Sequence, residues 1–148
     1  MSKASEVEWG EASEEKILRR WVKLSAFSKE AKGYHKTPAF CDFDFYVYDE
    51  AGFIICYVEV KRRRTEFSKY GDAMFPMRKH KRARQSAVKF NLPVIGVTEY
   101  GCGALVEVNL GKEPARKKDV SRRDRPGMRP VPHAFYTKRQ LTLLESGD

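Results

Sequence analysis

Residues 41–64, "CDFDFYVYDEAGFIICYVEVKRRR", place charged side chains inside two strand-like runs. Asp42 and Asp44 alternate in the first run, and Glu59 and Lys61 alternate in the second. Because successive side chains of a strand point to opposite faces, each pair shares a face, and a hairpin can bring both pairs to the same side of a sheet. Carboxylates held close together repel each other unless one is protonated or a cation lies between them.

A divalent metal ion would relieve that repulsion. Mg²⁺ prefers hard oxygen ligands, typically one or two carboxylates, waters and a substrate phosphate. Glu59, either Asp44 or Asp42, and the carbonyl of Val60 are the candidate ligands, and Lys61 could orient a water or offset charge on a phosphate. These residues predict metal-assisted phosphodiester hydrolysis. The structural alternative is a cross-strand ion pair between Glu59 and Lys61, with the two aspartates capping loops.

The elements around these residues predict a hairpin between two central strands. Residues 40–48 and 53–61 alternate as strands, and "DEAG" between them is typical of a hairpin turn. Both faces of each strand are largely apolar, so we expect the two strands to be covered on both sides.

A helix is predicted before the hairpin, beginning near Ser13 and ending near residue 27. Ile17, Leu18 and Trp21 recur at helical spacing, and Glu14 falls on the same inward face. Glu14 is therefore either an ordinary acid of the first helical turn or an acid directed at the site.

A crossover unit is predicted after the hairpin. Pro76 suits a helix start, and residues 77–91 are good helix formers. "LPVIGVTEY" and "ALVEVNL" follow as strands, so part of the sheet is expected to be parallel. Residues 111–148 are basic and rich in proline, which predicts an extended segment that packs on or flanks the core.

The charge of the chain predicts a polyanionic partner. Among 148 residues, 41% are hydrophobic, and the formal net charge is +9, which favours one folded domain that binds nucleic acid. We find no apolar run of the roughly 18–20 residues that span a membrane. The polar N-terminus and three cysteines without a CxxC pair are typical of a cytoplasmic protein.

The spacing of Asp44 and "EVK" resembles the PD-(D/E)XK nuclease superfamily, most closely its small phage and resolvase-like members. The resemblance covers residues 13–110, after a polar arm of residues 1–12. It implies an α/β (α+β) fold with a restriction-endonuclease-like α-β-β-β-α-β core, in which helices flank a mixed central sheet. Phe43 stands where the family often has proline, and one core strand is not evident before Phe40 unless "HKTPAF" supplies it.

The resemblance also implies roles for individual residues. Asp44 and Glu59 would bind Mg²⁺, with Mn²⁺ as a substitute, and Asp42 competes with Asp44 for that role. Lys61 would be catalytic, and Glu14 would be the additional acid of the first helix.

Cationic side chains cluster after the motif and along the second helix. Family members often carry a Lys or Gln on that helix that faces the metal, and Lys81 and Gln85 match it loosely. Because like charges one turn apart destabilise a helix, a phosphate backbone is the natural compensation, although a solvated cationic face is the alternative. The residues predicted to bind nucleic acid are Arg62, Arg63, Arg64, Arg78, Lys79, Lys81, Arg82 and Gln85.

Together these features predict a Mg²⁺-dependent endonuclease that cleaves DNA, with branched or structured DNA as a plausible substrate. A homodimer would let two sites address two strands. One alternative is a non-catalytic nucleic-acid-binding protein that keeps the nuclease fold. Another is an interaction protein whose basic segment binds an acidic protein or a membrane surface.

Overall fold

The computed structural model describes residues 3–67, 71–121, 127 and 129–147, and for residues 3–12 it describes the backbone alone. The elements, in chain order, are α1 (Lys3–Leu24), β1 (Gly33–Lys36), β2 (Phe45–Tyr48), β3 (Ile54–Arg63), β4 (Asp72–Pro76), α2 (Met77–Phe90), β5 (Val94–Tyr100), β6 (Leu105–Asn109), β7 (Arg116–Val120), β8 (Val131–Thr137) and β9 (Thr142–Glu145).

Six strands form a central sheet in the order β1-β2-β3-β5-β6-β9. Neighbouring strands are antiparallel except for β3 and β5, which are parallel. Parallel neighbours need a crossover connection, and β4 followed by α2 supplies it. The α+β fold with a mixed central sheet flanked by helices, predicted from the sequence, is confirmed.

One face of the central sheet is covered by α1. Its side chains Ile17 and Trp21 are buried in one cluster with Val58 and Val60 of β3. The indole Nε1 of Trp21 donates a hydrogen bond of 2.7 Å to Glu107 Oε2, which satisfies the polar atom of an otherwise apolar ring. The predicted helical stripe therefore packs on the sheet.

The opposite face is covered by α2 and by a second sheet of three strands, in the order β4-β8-β7. Because Val58 and Val60 face α1, the alternation of the strand turns Glu59 and Lys61 toward this second side. A buried cluster that includes Phe75 of β4 fills the space between the layers. The candidate chemistry of β3 therefore lies between the two sheets.

Gly96 of β5 lets the layers approach closely. A Cβ atom at this position would lie 2.7 Å from Cζ of Phe75 and 2.8 Å from Cδ2 of Leu110, closer than real Cβ contacts. The absence of a side chain at Gly96 thus lets β4 pack directly on the central sheet.

The start of the chain differs from the sequence prediction in two ways. The helix begins at Lys3 rather than near Ser13, because residues 3–12 are rich in Ala, Glu and Lys, which have high helix propensity. The core strand not evident before Phe40 is β1, Gly33–Lys36, which pairs with β2. Its four residues are too few for a clear alternation signal.

The first motif strand is shorter than predicted. It begins at Phe45, so Asp42 and Asp44 lie in the bent segment that precedes it. The backbone of Asp44 is nevertheless held at the sheet, since its N–H donates to Val58 O at 3.2 Å and its carbonyl accepts from Thr37 N at 2.9 Å.

The C-terminal segment is largely built into the sheets. Strands β7 and β8 form most of the second sheet, and β9 joins the edge of the central sheet beside β6. The predicted extended segment therefore completes both layers, although the composition of residues 111–130 contains little apolar periodicity to indicate it.

Candidate active site

Asp44 and Glu59 meet on the side of β3 that faces α2. The Oδ2 atom of Asp44 accepts a hydrogen bond of 2.9 Å from the amide of Val60. This bond crosses from the segment before β2 to the middle of β3 and orients the Asp44 carboxylate beside Glu59. The two carboxyl groups interact directly, by charge and by hydrogen bonding.

The pKa of Glu59 is raised from 4.5 to about 8, first by burial and then by the negative charge of Asp44. Its side chain is 13% exposed. Lys79 opposes the shift, because its cation favours the ionised carboxylate. At neutral pH and without a bound cation, the raised pKa therefore favours the protonated form of Glu59.

Lys79 of α2 supplies the cation nearest to this pair. Its Nζ lies 3.1 Å from Oε2 of Glu59 and also donates to the carbonyl of Asp42. The same Nζ lies 5.9 Å from the centroid of the Phe43 ring. α2 thus delivers a positive charge to the acids across the space between the helix and the sheet.

Lys61 follows Glu59 on the same face of β3. Its Nζ donates a hydrogen bond of 2.8 Å to the carbonyl of Met74 and lies 5.6 Å from the centroid of the Phe75 ring. The ammonium group is therefore positioned by β4, at the boundary between the two sheets.

A cleft of about 720 Å³ is lined by residues of β3, α2 and the second sheet. Its charged lining consists of Glu59, Lys61, Arg78 and Lys79. The second sheet contributes Met74, Phe75 and Pro76 of β4, Val120 of β7, and Val131 and His133 of β8.

Asp42 points away from the acidic pair. Its Oδ2 lies 3.7 Å from Nε of Arg82 on α2, and its side chain is 44% exposed. Of the two aspartates that the sequence leaves as alternatives, Asp44 is the one whose carboxylate interacts with Glu59.

The backbone amide of Val60 donates a hydrogen bond to the carboxylate of Asp44. Its side chain is buried on the α1 side of the sheet. The role of the Val60 carbonyl as a metal ligand stays a prediction.

Glu14 lies on α1, which covers the other face of the central sheet from Glu59 and Lys61. It is partly buried, and the hydroxyl of the adjacent Ser13 accepts a hydrogen bond from Arg62 Nη1. Glu14 is therefore near the end of β3, and its catalytic role stays a prediction.

The arginines that follow Lys61 in the chain contact different neighbouring residues. Arg63 Nη1 lies 3.1 Å from Asp72 Oδ1, and Arg62 Nε lies 3.7 Å from Glu99 Oε1. Arg64 is exposed. Arg62 and Arg63 therefore already contact acids of neighbouring strands.

On α2, the sequence singles out Lys81 and Gln85 as residues that could face a metal. Both are exposed, and Gln85 Oε1 accepts a hydrogen bond of 3.3 Å from Arg82. Lys79 reaches Glu59 instead. The buried side chains Met77, His80, Ala83 and Ser86 define the inward face of α2. Lys79 borders that face, and helical periodicity alone could have indicated that its side chain lies near the sheet.

The donor set suits a divalent cation. Oε2 of Glu59 is buried, and among the described residues its contact is the ion pair with Nζ of Lys79 at 3.1 Å, without a well-formed hydrogen bond. Two carboxylates with oxygen atoms of this kind match the demand of Mg²⁺ for hard ligands that leave room for water and phosphate. Across the described ranges, no group of three or more His, Cys, Asp or Glu side chains forms a metal cluster.

A restriction-endonuclease-like sheet that carries an acid and a lysine on a central strand, with a second acid beside them, is typical of a nuclease. A family model described as "Phage putative PDDEXK endonuclease" matches residues 6–130. The chain belongs to this family, which confirms the resemblance to PD-(D/E)XK nucleases. These nucleases generally use divalent metal ions.

No curated protein and no solved structure matches the chain significantly. Within the described part of the chain, no helix is long and apolar enough to cross a membrane.

Proposed function

We propose that this protein is a Mg²⁺-dependent DNA endonuclease whose active site is the cleft lined by Glu59 and Lys61, with Asp44 beside Glu59. One observation carries the proposal. The carboxyl groups of Asp44 and Glu59 are held close together although like charges repel, and Glu59 shares one face of β3 and an open cleft with Lys61. Structural ion pairs do not require two acids close together, whereas carboxylate oxygens are typical ligands of Mg²⁺.

Asp44 and Glu59 would hold the cation. When bound, Mg²⁺ would supply charge stabilisation for the phosphodiester and a more acidic water. The hydrogen bond from the Val60 amide fixes the Asp44 carboxylate before the cation arrives, so little reorganisation is needed on binding.

Lys61 would act on the phosphate or the attacking water. Its Nζ is tied to the Met74 carbonyl at 2.8 Å, which keeps the ammonium group in the cleft rather than in solvent. A cation at this place offsets the negative charge that grows on the phosphate oxygens during hydrolysis.

DNA is the proposed substrate because the family is one of endonucleases and the chain carries a net charge of +9. Arg78 and Lys79 line the cleft, while Lys81 and Arg82 continue the cationic surface along α2. Branched or structured DNA and a homodimer that cuts two strands are parts of the same proposal.

Cleavage of plasmid, single-stranded and four-way DNA in Mg²⁺ and in Mn²⁺ tests the proposal. Glu59→Gln and Lys61→Met should each lose cleavage, roughly 100-fold or more for the lysine. Glu50→Gln and Lys29→Met alter exposed residues of the same types and should cut like the wild type. If all three DNA forms survived both metals, the proposal would fail in favour of the non-catalytic nucleic-acid-binding alternative.

A further inference from the structure

The outer face of the second sheet mixes apolar and cationic side chains. Ala134 and Tyr136 of β8 are fully buried on the inner face, so the alternation turns the residues between them outward. The register places Met74 and Val120 on this outer face as well. We call six residues of the outward set the platform: Pro76, Arg116, Lys118, Val131, His133 and Phe135.

The strand register places the platform residues in rows across the sheet. Pro76 pairs with His133, which pairs with Lys118. In the next row Phe135 pairs with Arg116, whose guanidinium lies 5.4 Å from the centroid of the Phe135 ring. In each row, therefore, a ring on the middle strand β8 lies beside a cation on β7: His133 beside Lys118, and Phe135 beside Arg116.

The platform leads directly into the active-site cleft. Pro76, Val131 and His133 belong to the platform and also line the cleft together with Glu59 and Lys61. Val131 is 39% exposed despite being apolar. An apolar surface of this kind beside a catalytic cleft suits a ligand that has both apolar faces and negative charges.

Asp72, an acid on the same side of the second sheet, is paired with two arginines. Asp72 Oδ1 lies 3.1 Å from Nη1 of Arg63, and its Oδ2 lies 3.7 Å from Nη2 of Arg116. The side chain of Asp72 is 16% exposed. A phosphate group that approaches the platform therefore meets cations rather than a free carboxylate.

The composition of the platform favours an unpaired strand over a duplex. The exposed base of an unpaired nucleotide can stack on side chains such as His or Phe. A duplex hides its base faces from them.

We propose that the platform binds an unpaired DNA strand and guides it into the cleft, so that the enzyme selects DNA with a single-stranded segment next to the cleaved bond. This inference rests on the proposed nuclease function and narrows its substrate class. Bases would stack on the rings and apolar side chains of the platform, while Lys118 and Arg116 would contact the phosphates.

Binding in EDTA tests the platform independently of cleavage. Fluorescence anisotropy would compare a labelled single strand of about 12 nucleotides, within the roughly 4–16 that one such surface covers, with a duplex of the same length. His133→Ala combined with Val131→Ser should weaken single-strand binding about tenfold and duplex binding much less. Lys118→Ala should lower the slope of log affinity against log salt by roughly 1.

Matched controls lie elsewhere on the surface. His35→Ala and Lys29→Ala change an exposed histidine and an exposed lysine away from the second sheet, and neither should alter the preference for a single strand. Phe135→Leu removes the aromatic ring but keeps an apolar side chain at this position. It therefore tests stacking without a large loss of stability, and thermal unfolding would check that the variant is still folded.

The outcomes distinguish the platform from the nuclease proposal. Equal binding of single strand and duplex, or equal losses in platform and control variants, would overturn the platform and leave the nuclease proposal intact. Selective single-strand binding by the platform without cleavage in Mg²⁺ or Mn²⁺ would support the platform and overturn the nuclease proposal.

Discussion

The ammonium group of Lys79 lies 3.1 Å from the carboxylate oxygen Oε2 of Glu59, and thus joins α2 to the central strand β3. This cation stands beside the two acids that would bind a metal ion. It lowers the pKa of Glu59, against the larger effects of burial and of Asp44.

Removal of the Lys79 cation should strengthen metal binding once Glu59 is ionised. Lys79→Met removes a positive charge next to the incoming Mg²⁺ and also raises the pKa of Glu59 further. Affinities extrapolated over pH to the fully ionised carboxylate should therefore show about tenfold tighter binding, or roughly 1.4 kcal/mol of relieved repulsion. Isothermal titration calorimetry would measure it. Lys81→Met, which changes an exposed lysine of the same helix, serves as the control, and an equal gain there would contradict the placement of Lys79.

The stability of the metal-free protein should fall as the pH rises. Glu59 has a pKa of about 8 in the folded state and 4.5 ordinarily, so the folded state binds the proton more tightly. Its contribution is fully present below pH 4.5 and is lost as the pH rises through about 8. Urea unfolding in EDTA across this range should show a loss of a few kcal/mol.

Glu59→Gln should remove most of that pH dependence, since glutamine does not titrate. Glu50→Gln, at an exposed position in the turn between β2 and β3, should keep it. A wild-type stability that stayed level between pH 5 and 8 would contradict the raised pKa of Glu59.

The two aspartates should behave differently when neutralised. Asp44→Asn disturbs a carboxylate that accepts from the Val60 amide and contacts Glu59. We expect it to weaken Mn²⁺ binding at least about 10–100-fold, the cost of altering even the outer-shell partners of metal ligands. Asp42→Asn loses a half-exposed contact with Arg82 and should change binding little. Calorimetry on both variants measures this, and the reverse order would exchange their roles.

Gly96→Ala should destabilise the fold. The added methyl would lie 2.7 Å from the Phe75 ring, and such overpacking typically costs about 1–3 kcal/mol. Phe75→Leu in the same chain removes the clashing ring atom, so the double variant should lose less stability than the sum of the two single variants. Additive losses in denaturant unfolding would show that the two side chains do not compete for this space.

Much of the fold could be predicted from the sequence because its signals are local. The period of two around Glu59 and Lys61 identifies β3 and its faces. Pro76 and Asn91 bound α2, and Asn91 adopts the left-handed conformation typical of a helix end, with φ of 52°. A strand, a helix and a strand of these lengths predict the parallel pair of β3 and β5, which the register confirms.

Other features depend on residues distant in the chain. β1 and β7 are short or highly charged, and their pairing is set by partners rather than by their own periodicity. The folding of residues 116–120 against residues 131–137 brings residues of β7 and β8 into the lining of the cleft, which no local pattern indicates.

The sequence by itself determined that Glu59 and Lys61 share one face of β3, because side-chain direction in a strand follows from position alone. Only the tertiary structure decided which aspartate turns to Glu59 and which lysine of α2 reaches it. Those choices depend on the Val60 amide, on Arg82 and on the packing of the helix against the sheet. Such contacts form between segments that are distant in sequence, so their geometry exists only once the layers are assembled.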